Sequence, residues 1–219
     1  MPVRHHYPPA TACWLGYGAK DPVGAAVFYQ DLFGWRLVAE PGGRGHQAVL
    51  GDHPAASFAP TPGQPAWLVC LAGDVAAPPP GWRARFGPVP LADIGRLLIA
   101  VDDGGASVGI FTAAASAGVV VAHEPGASYG AWRLGPDARE RAQSAVAGCG
   151  GEISDRTETA GVARLGLGRD EALWAVDDPG ASRWLPAFGV QELEHSLTHL
   201  VSAGGTLVRT FEAAAEVSD

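Results

Sequence analysis

The chain has 219 residues, of which 47% are apolar and 17% charged, and its formal net charge is −8. Such a composition supports a buried core and excludes a disordered chain. The acidic balance, with Lys and Arg scattered, excludes a nucleic-acid-binding face and disfavours anionic membranes. No apolar run approaches the roughly 18 residues of a membrane span. Met1–Ala12 has no apolar signal-peptide core. Cys13, Cys70 and Cys149 lack metal-type spacing, so reduced thiols in a cytoplasmic protein are expected.

In chain order, a strand opens at Trp14. A helix then starts at Asp21, a capping residue, with Pro22 in its first turn. Ala25, Phe28, Tyr29, Leu32 and Phe33 form one apolar stripe, and Gly34 is placed to end the helix. Strands are expected at Trp35–Ala39, Gln47–Leu50 and Ala55–Ala59. A second unit opens at Trp67, but Pro78-Pro79-Pro80 forbids the helix that should follow. Its strands resume at Arg96–Val101 and Ser107–Thr112. A third unit has a first strand near Ser128–Leu134, a helix over Asp137–Ala147, and strands near Ala163–Leu167 and Leu173–Val176. The fourth opens at Trp184 and has a helical stripe of Leu193, Leu197, Leu200 and Val201, with its final strands not evident. Trp14, Trp67 and Trp184 begin similar segments, each followed after seven or eight residues by an acid: Asp21, Asp74 or Glu192. The repeat is therefore a βαβββ unit, present four times.

The stretch Asp21-Pro22-Val23-Gly24-Ala25-Ala26-Val27-Phe28-Tyr29-Gln30-Asp31-Leu32-Phe33-Gly34-Trp35 resembles a signature of the vicinal-oxygen-chelate superfamily of glyoxalases, bleomycin-resistance proteins and dioxygenases. Asp93–Arg96, Val101–Ala106 and His123–Ala127 resemble later parts of tandem members. The likeness is strong over 10–113 and weaker over 124–210. It implies an α+β fold of paired βαβββ units in cupped mixed sheets. Two domains are expected, 1–113 and a partly degenerate 124–219, joined near Ala113–Glu124.

Metal-dependent members place His or Glu on the first strand of each unit and Glu near the end of the last. Registered on Asp21 and Asp74, those first-strand places hold Trp14 and Trp67. Trp184 and Gly130 fall there in the later units, and Gly109 falls at the last-strand place. Indole and glycine are not ligands for such metals. No metal and no other cofactor is expected. Trp14 and Trp67 then either stack on an aromatic ligand in the cup or plug it as core, with Ser57, Gly109 and Phe111 beside them. His46 and His53 are candidates to move a proton. His195 and His199 flank an apolar stripe and read as a solvated face, and His5 and His6 as a tail. Gly81–Phe86 is expected as a loop, with Trp82 or Phe86 covering the cup or the domain interface.

The leading expectation is a metal-independent tailoring enzyme that holds a polycyclic aromatic, polyketide-like intermediate and promotes cyclisation, dehydration or ketal formation. A resistance protein that sequesters an aromatic drug is the alternative, and a glyoxalase- or dioxygenase-like metalloenzyme the second. The expected partner is an aromatic small molecule, not nucleic acid or membrane. A homodimer is one assembly open to the chain.

Overall fold

The computed structural model describes residues 6–40, 45–91, 94–114, 122–159, 161–168, 171–180, 182–207 and 210. The element order is β1 (Ala12–Ala19), α1 (Pro22–Phe33), β2 (Arg36–Ala39), β3 (His46–Leu50), β4 (His53–Pro60), β5 (Ala66–Ala72), β6 (Arg83–Leu91), β7 (Gly95–Val101) and β8 (Ser107–Ala113). Then follow β9 (Ser128–Leu134), α2 (Ala138–Gly148), β10 (Asp155–Thr159), β11 (Val162–Gly166), β12 (Ala172–Val176), β13 (Arg183–Phe188) and α3 (Leu193–Ser202). Most of the expected junction, 115–121, lies outside the described residues, as does His5.

The fold is α+β with two mixed sheets. The first has eight strands in the order β2-β3-β4-β1-β5-β8-β7-β6, and the second has five, in the order β10-β11-β12-β9-β13. In both, the first strand of a unit pairs in parallel with that unit's last strand: β1 with β4, β5 with β8, β9 with β12. The units meet through antiparallel pairs, β1 with β5 and β9 with β13. The second sheet repeats the scheme of the first but stops at β13. Among the described residues, no strand pairs with the outer edge of β13.

Helix α1 forms as its sequence dictates. Asp21 Oδ1 accepts from the Gly24 N–H at 2.9 Å, Pro22 sits in the first turn, and Gly34 ends the helix at φ +70°. Its apolar stripe, however, is only half-buried, and Ala26 is its single fully buried residue.

The stretch beginning at Gly81 is a strand from Arg83 onward rather than a loop. Arg83–Leu91 is an edge strand against β7. Pro88 and Pro90 suit an edge, where a missing N–H faces outward. Phe86 is exposed, whereas Trp82 is buried in the main core. Strand β10 was hidden because all five residues are exposed and mostly polar, leaving no hydrophobic alternation.

That core joins the two sheets. It contains Leu98, Ala100, Val108 and Ile110 from the first, Leu165, Leu173 and Ala175 from the second, and Ala138, Ala142, Ala145 and Val146 of α2 between them. The stretch after β5 carries no α-helix and approaches α2 directly. A methyl group on Gly148 would fall 2.3 Å from Pro79 Cβ, and one on Gly73 would fall 3.0 Å from Cys149 Cβ. Arg133 on β9 is fully buried, with Nη2 2.6 Å and Nε 3.1 Å from Asp102 Oδ2. Asp102 Oδ1 also accepts from the Ala106 N–H at 2.9 Å, so one carboxylate both shapes its turn and anchors the second sheet. Burial lowers the Arg133 pKa, and Asp102 opposes that shift. Trp35 Nε1 adds a further tie, donating to Gly126 O at 2.7 Å.

Candidate functional site

Each sheet has one face packed in the main core and one turned away from it. On the first sheet the turned-away face is the cup. Trp14 stands opposite Cys70 across the β1–β5 pair, Cys70 stands opposite Gly109, and Gly16 opposite Ser57. Directly opposed residues share a face, so Trp14, Ser57, Cys70, Gly109 and Phe111 converge there. Trp14 Nε1 donates to Ser57 Oγ at 2.9 Å, and the Trp14 and Phe111 rings lie 6.2 Å apart. Apolar side chains pack around them. Tyr7, Leu68, Leu91, Ile94 and Leu97 pack into the same cluster. A methyl on Gly109 would fall 2.3 Å from Cys70 Sγ.

Trp67 does not join them. It opposes Tyr17, one residue out of step with Trp14 and Cys70, and so projects from the other face. There its Nε1 donates to Tyr29 Oη at 3.0 Å, and its ring meets Phe188 at 5.4 Å. The two histidines also miss the cup. His46 opposes Phe58, whose ring lies in the core with Tyr29 and Trp35. His53 opposes Leu50, which packs against the same core. Trp14 and Trp67 each stand seven residues before their acid, yet the register puts them on opposite faces, so equal spacing from the acid does not fix the face.

The open space lies elsewhere. A cavity of about 860 Å3 separates α1, α3 and β13. Phe28, Tyr29, Phe33, Trp67, Trp132 and Phe188 are among its walls, and Leu193, Leu197 and Leu200 of α3 close one side. This is why the α1 stripe is half-buried: it faces a cavity rather than a packed layer. Polar contacts come from Tyr129, Gln191, Ser196 and Thr206, and among the described residues the lining includes no Asp, Glu, His, Lys, Arg or Cys. Burial pushes the Tyr29 phenol up to about 12, so it stays protonated. Trp132 stacks on Trp174, with centroids 5.6 Å apart and planes 20° apart. Gly130, at φ +130°, makes room for that pair, since a methyl there would fall 2.7 Å from Trp174 Cζ3.

The side chains presented by the central strands decide whether the metal implied by the fold family would fit. On the cup face they are indole, hydroxyl, thiol and phenyl groups, and burial raises the Cys70 thiol to about 12. Imidazole or carboxylate donors are absent from that set, so the residues do not fit the family's metal. Among the described residues, no three His, Cys, Asp or Glu side chains form a group suited to a metal ion. No helix there is long and apolar enough to cross a membrane.

This topology defines the vicinal-oxygen-chelate fold, and solved structures bear that out. The Mn(II)-bound glyoxalase from Novosphingobium aromaticivorans superposes with a TM-score of 0.63 at 15% identity, covering 90% of this chain and 71% of that one. The 2,2',3-trihydroxybiphenyl 1,2-dioxygenase from Sphingomonas wittichii gives 0.58 at 13%, covering 92% and 81%. Homoprotocatechuate 2,3-dioxygenase from Brevibacterium fuscum gives 0.57 at 13%, covering 92% and 72%. At these identities the likeness establishes the fold alone. No family model and no curated protein matches the sequence.

Proposed function

We propose that this protein works without the superfamily's metal and binds a bulky aromatic small molecule, held between its two sheets rather than in the first-sheet cup. One observation carries the reading: the cavity of about 860 Å3 is walled by aromatic rings and, among the described residues, lined by no charged side chain. Its size falls within the roughly 300–1,000 Å3 of small-molecule sites. Flat rings there would stack on a flat ligand, each contact adding about 0.5–1.5 kcal/mol beyond the area buried.

Between sequestration and catalysis, the lining favours sequestration. Cyclisation, dehydration or ketal formation needs a group that gains and loses a proton near neutral pH. His46 and His53 do not line the cavity, and the Tyr29 phenol, at about 12, holds its proton. The reading treats 1–113 and 124–219 as tandem domains whose junction forms the site.

Fluorescence titration with N-phenyl-1-naphthylamine tests it. Phe28→Ala removes a half-buried ring of the cavity wall and should weaken binding about tenfold. Trp14→Ala should leave affinity unchanged in the folded fraction. The opposite pattern would move the site to the cup and sink the proposal.

A further inference from the structure

We infer that the ligand is a planar aromatic cation, a fused ring system carrying a protonated or quaternary nitrogen. The inference rests on the binding reading above and adds the charge of the ligand. A second pocket of about 510 Å3 adjoins the aromatic cavity and shares Leu32, Phe33, Gln191 and Ser196 with it. What it adds is Pro125, Gly126, Glu192 and His195, the last two of which bring ionisable side chains. The ring-lined cavity thus opens onto a polar annex whose fixed charge is one carboxylate.

That carboxylate is available. Glu192 sits at the N-cap of α3, its side chain accepts no capping hydrogen bond, and it forms no ion pair among the described residues. No Lys or Arg among the described residues lines either pocket. Glu192 is the acidic residue among the described residues that line the annex. The α3 N-terminus by itself would favour an anion, with the equivalent of roughly half a positive charge. Glu192, with a full negative charge at that end, reverses the preference. Phe33 lines both pockets, and an aromatic ring at that boundary would attract a cation. Glu192 is exposed and solvated, so a neutral polycycle would use the cavity alone, whereas a cation gains the attraction of the carboxylate and an anion is repelled by it.

Three probes with one ring system test this: acridine, 9-aminoacridine and acridine-9-carboxylate, titrated at mildly alkaline pH, where they are neutral, cationic and anionic. The expected order of affinity is cation, neutral, anion. Glu192→Gln should weaken the cation about two- to fivefold and leave acridine unchanged. Glu192→Lys should invert the order. Glu152→Gln removes the same charge from an exposed position outside both pockets and should change nothing. If acridine binds but the cation shows no preference, or if Glu192→Gln and Glu152→Gln act alike, the charge assignment is overturned and the binding reading stands. If none of the three binds or displaces N-phenyl-1-naphthylamine, the binding reading itself fails.

Discussion

The two sheets are built on one plan and end differently. In the eight-stranded sheet the cup face is a packed cluster that includes Trp14, Phe111 and Leu97. The five-stranded sheet ends at β13, whose outer edge is unpaired among the described residues, and there α1 and α3 face a cavity. On the first sheet the side chains opposite one another across the central strands pack together. Beside β13, among the described residues, ring-bearing side chains face a cavity instead. The same strand scheme can therefore present a packed face in one sheet and an open one beside the other.

The comparison can be broken first at the tie between the sheets. Arg133→Ala leaves Asp102 buried and unpaired, and should cost about 3–5 kcal/mol in urea unfolding. Replacing both by apolar residues, Arg133→Met with Asp102→Leu, should recover most of it. A single-mutant loss below about 1 kcal/mol would show that the sheets hold together without this pair. Next, Trp14→Ala should cost about 3 kcal/mol, the low end for a large aromatic because Trp14 is half-buried. That loss, without a change in ligand affinity, separates plug from binding wall.

The filled regions should also respond to alkali. Burial raises the Cys70 and Cys149 thiols from 9.0 to about 12. The unfolded chain releases those protons from about pH 9, while the folded chain keeps them. Stability should therefore be constant up to about pH 9 and fall steadily from there towards pH 12. The same burial should keep both thiols unreactive to a disulfide reagent until the protein unfolds. Rapid labelling of the native protein would contradict the packing. The smallest effect is expected at Leu200→Ala, on a helix with no buried residue. Stability should change by about 1 kcal/mol or less, whereas affinity for N-phenyl-1-naphthylamine should drop severalfold because Leu200 lines the cavity.

Much of the fold was legible. Asp21, Pro22 and Gly34 bound α1 as their chemistry requires, and the recurring Trp segments marked the starts of β1, β5 and β13. The site was less so. Spacing could gather Trp14, Ser57, Gly109 and Phe111, which do meet, but a one-residue error sends a strand side chain to the other face. Trp67 is that case, and it lines the cavity instead of the cup. The stripe Phe28-Tyr29-Phe33 was in view, but periodicity reports which residues share a face, not whether that face meets protein or empty space. Asp102 read as turn chemistry, and its partner Arg133, thirty-one residues on, left no local signal.

Helix α2 has a consequence of another kind. Its alanines are buried in a core that draws on both sheets, and Arg141 reaches across to Asp103 of the first. A cut through the junction would strip each half of a surface it needs covered. The two halves are therefore expected to melt in a single transition, and neither should serve as a portable module when transplanted alone. One small-residue helix, packed into a core that draws on both sheets, makes the two halves a single mechanical unit.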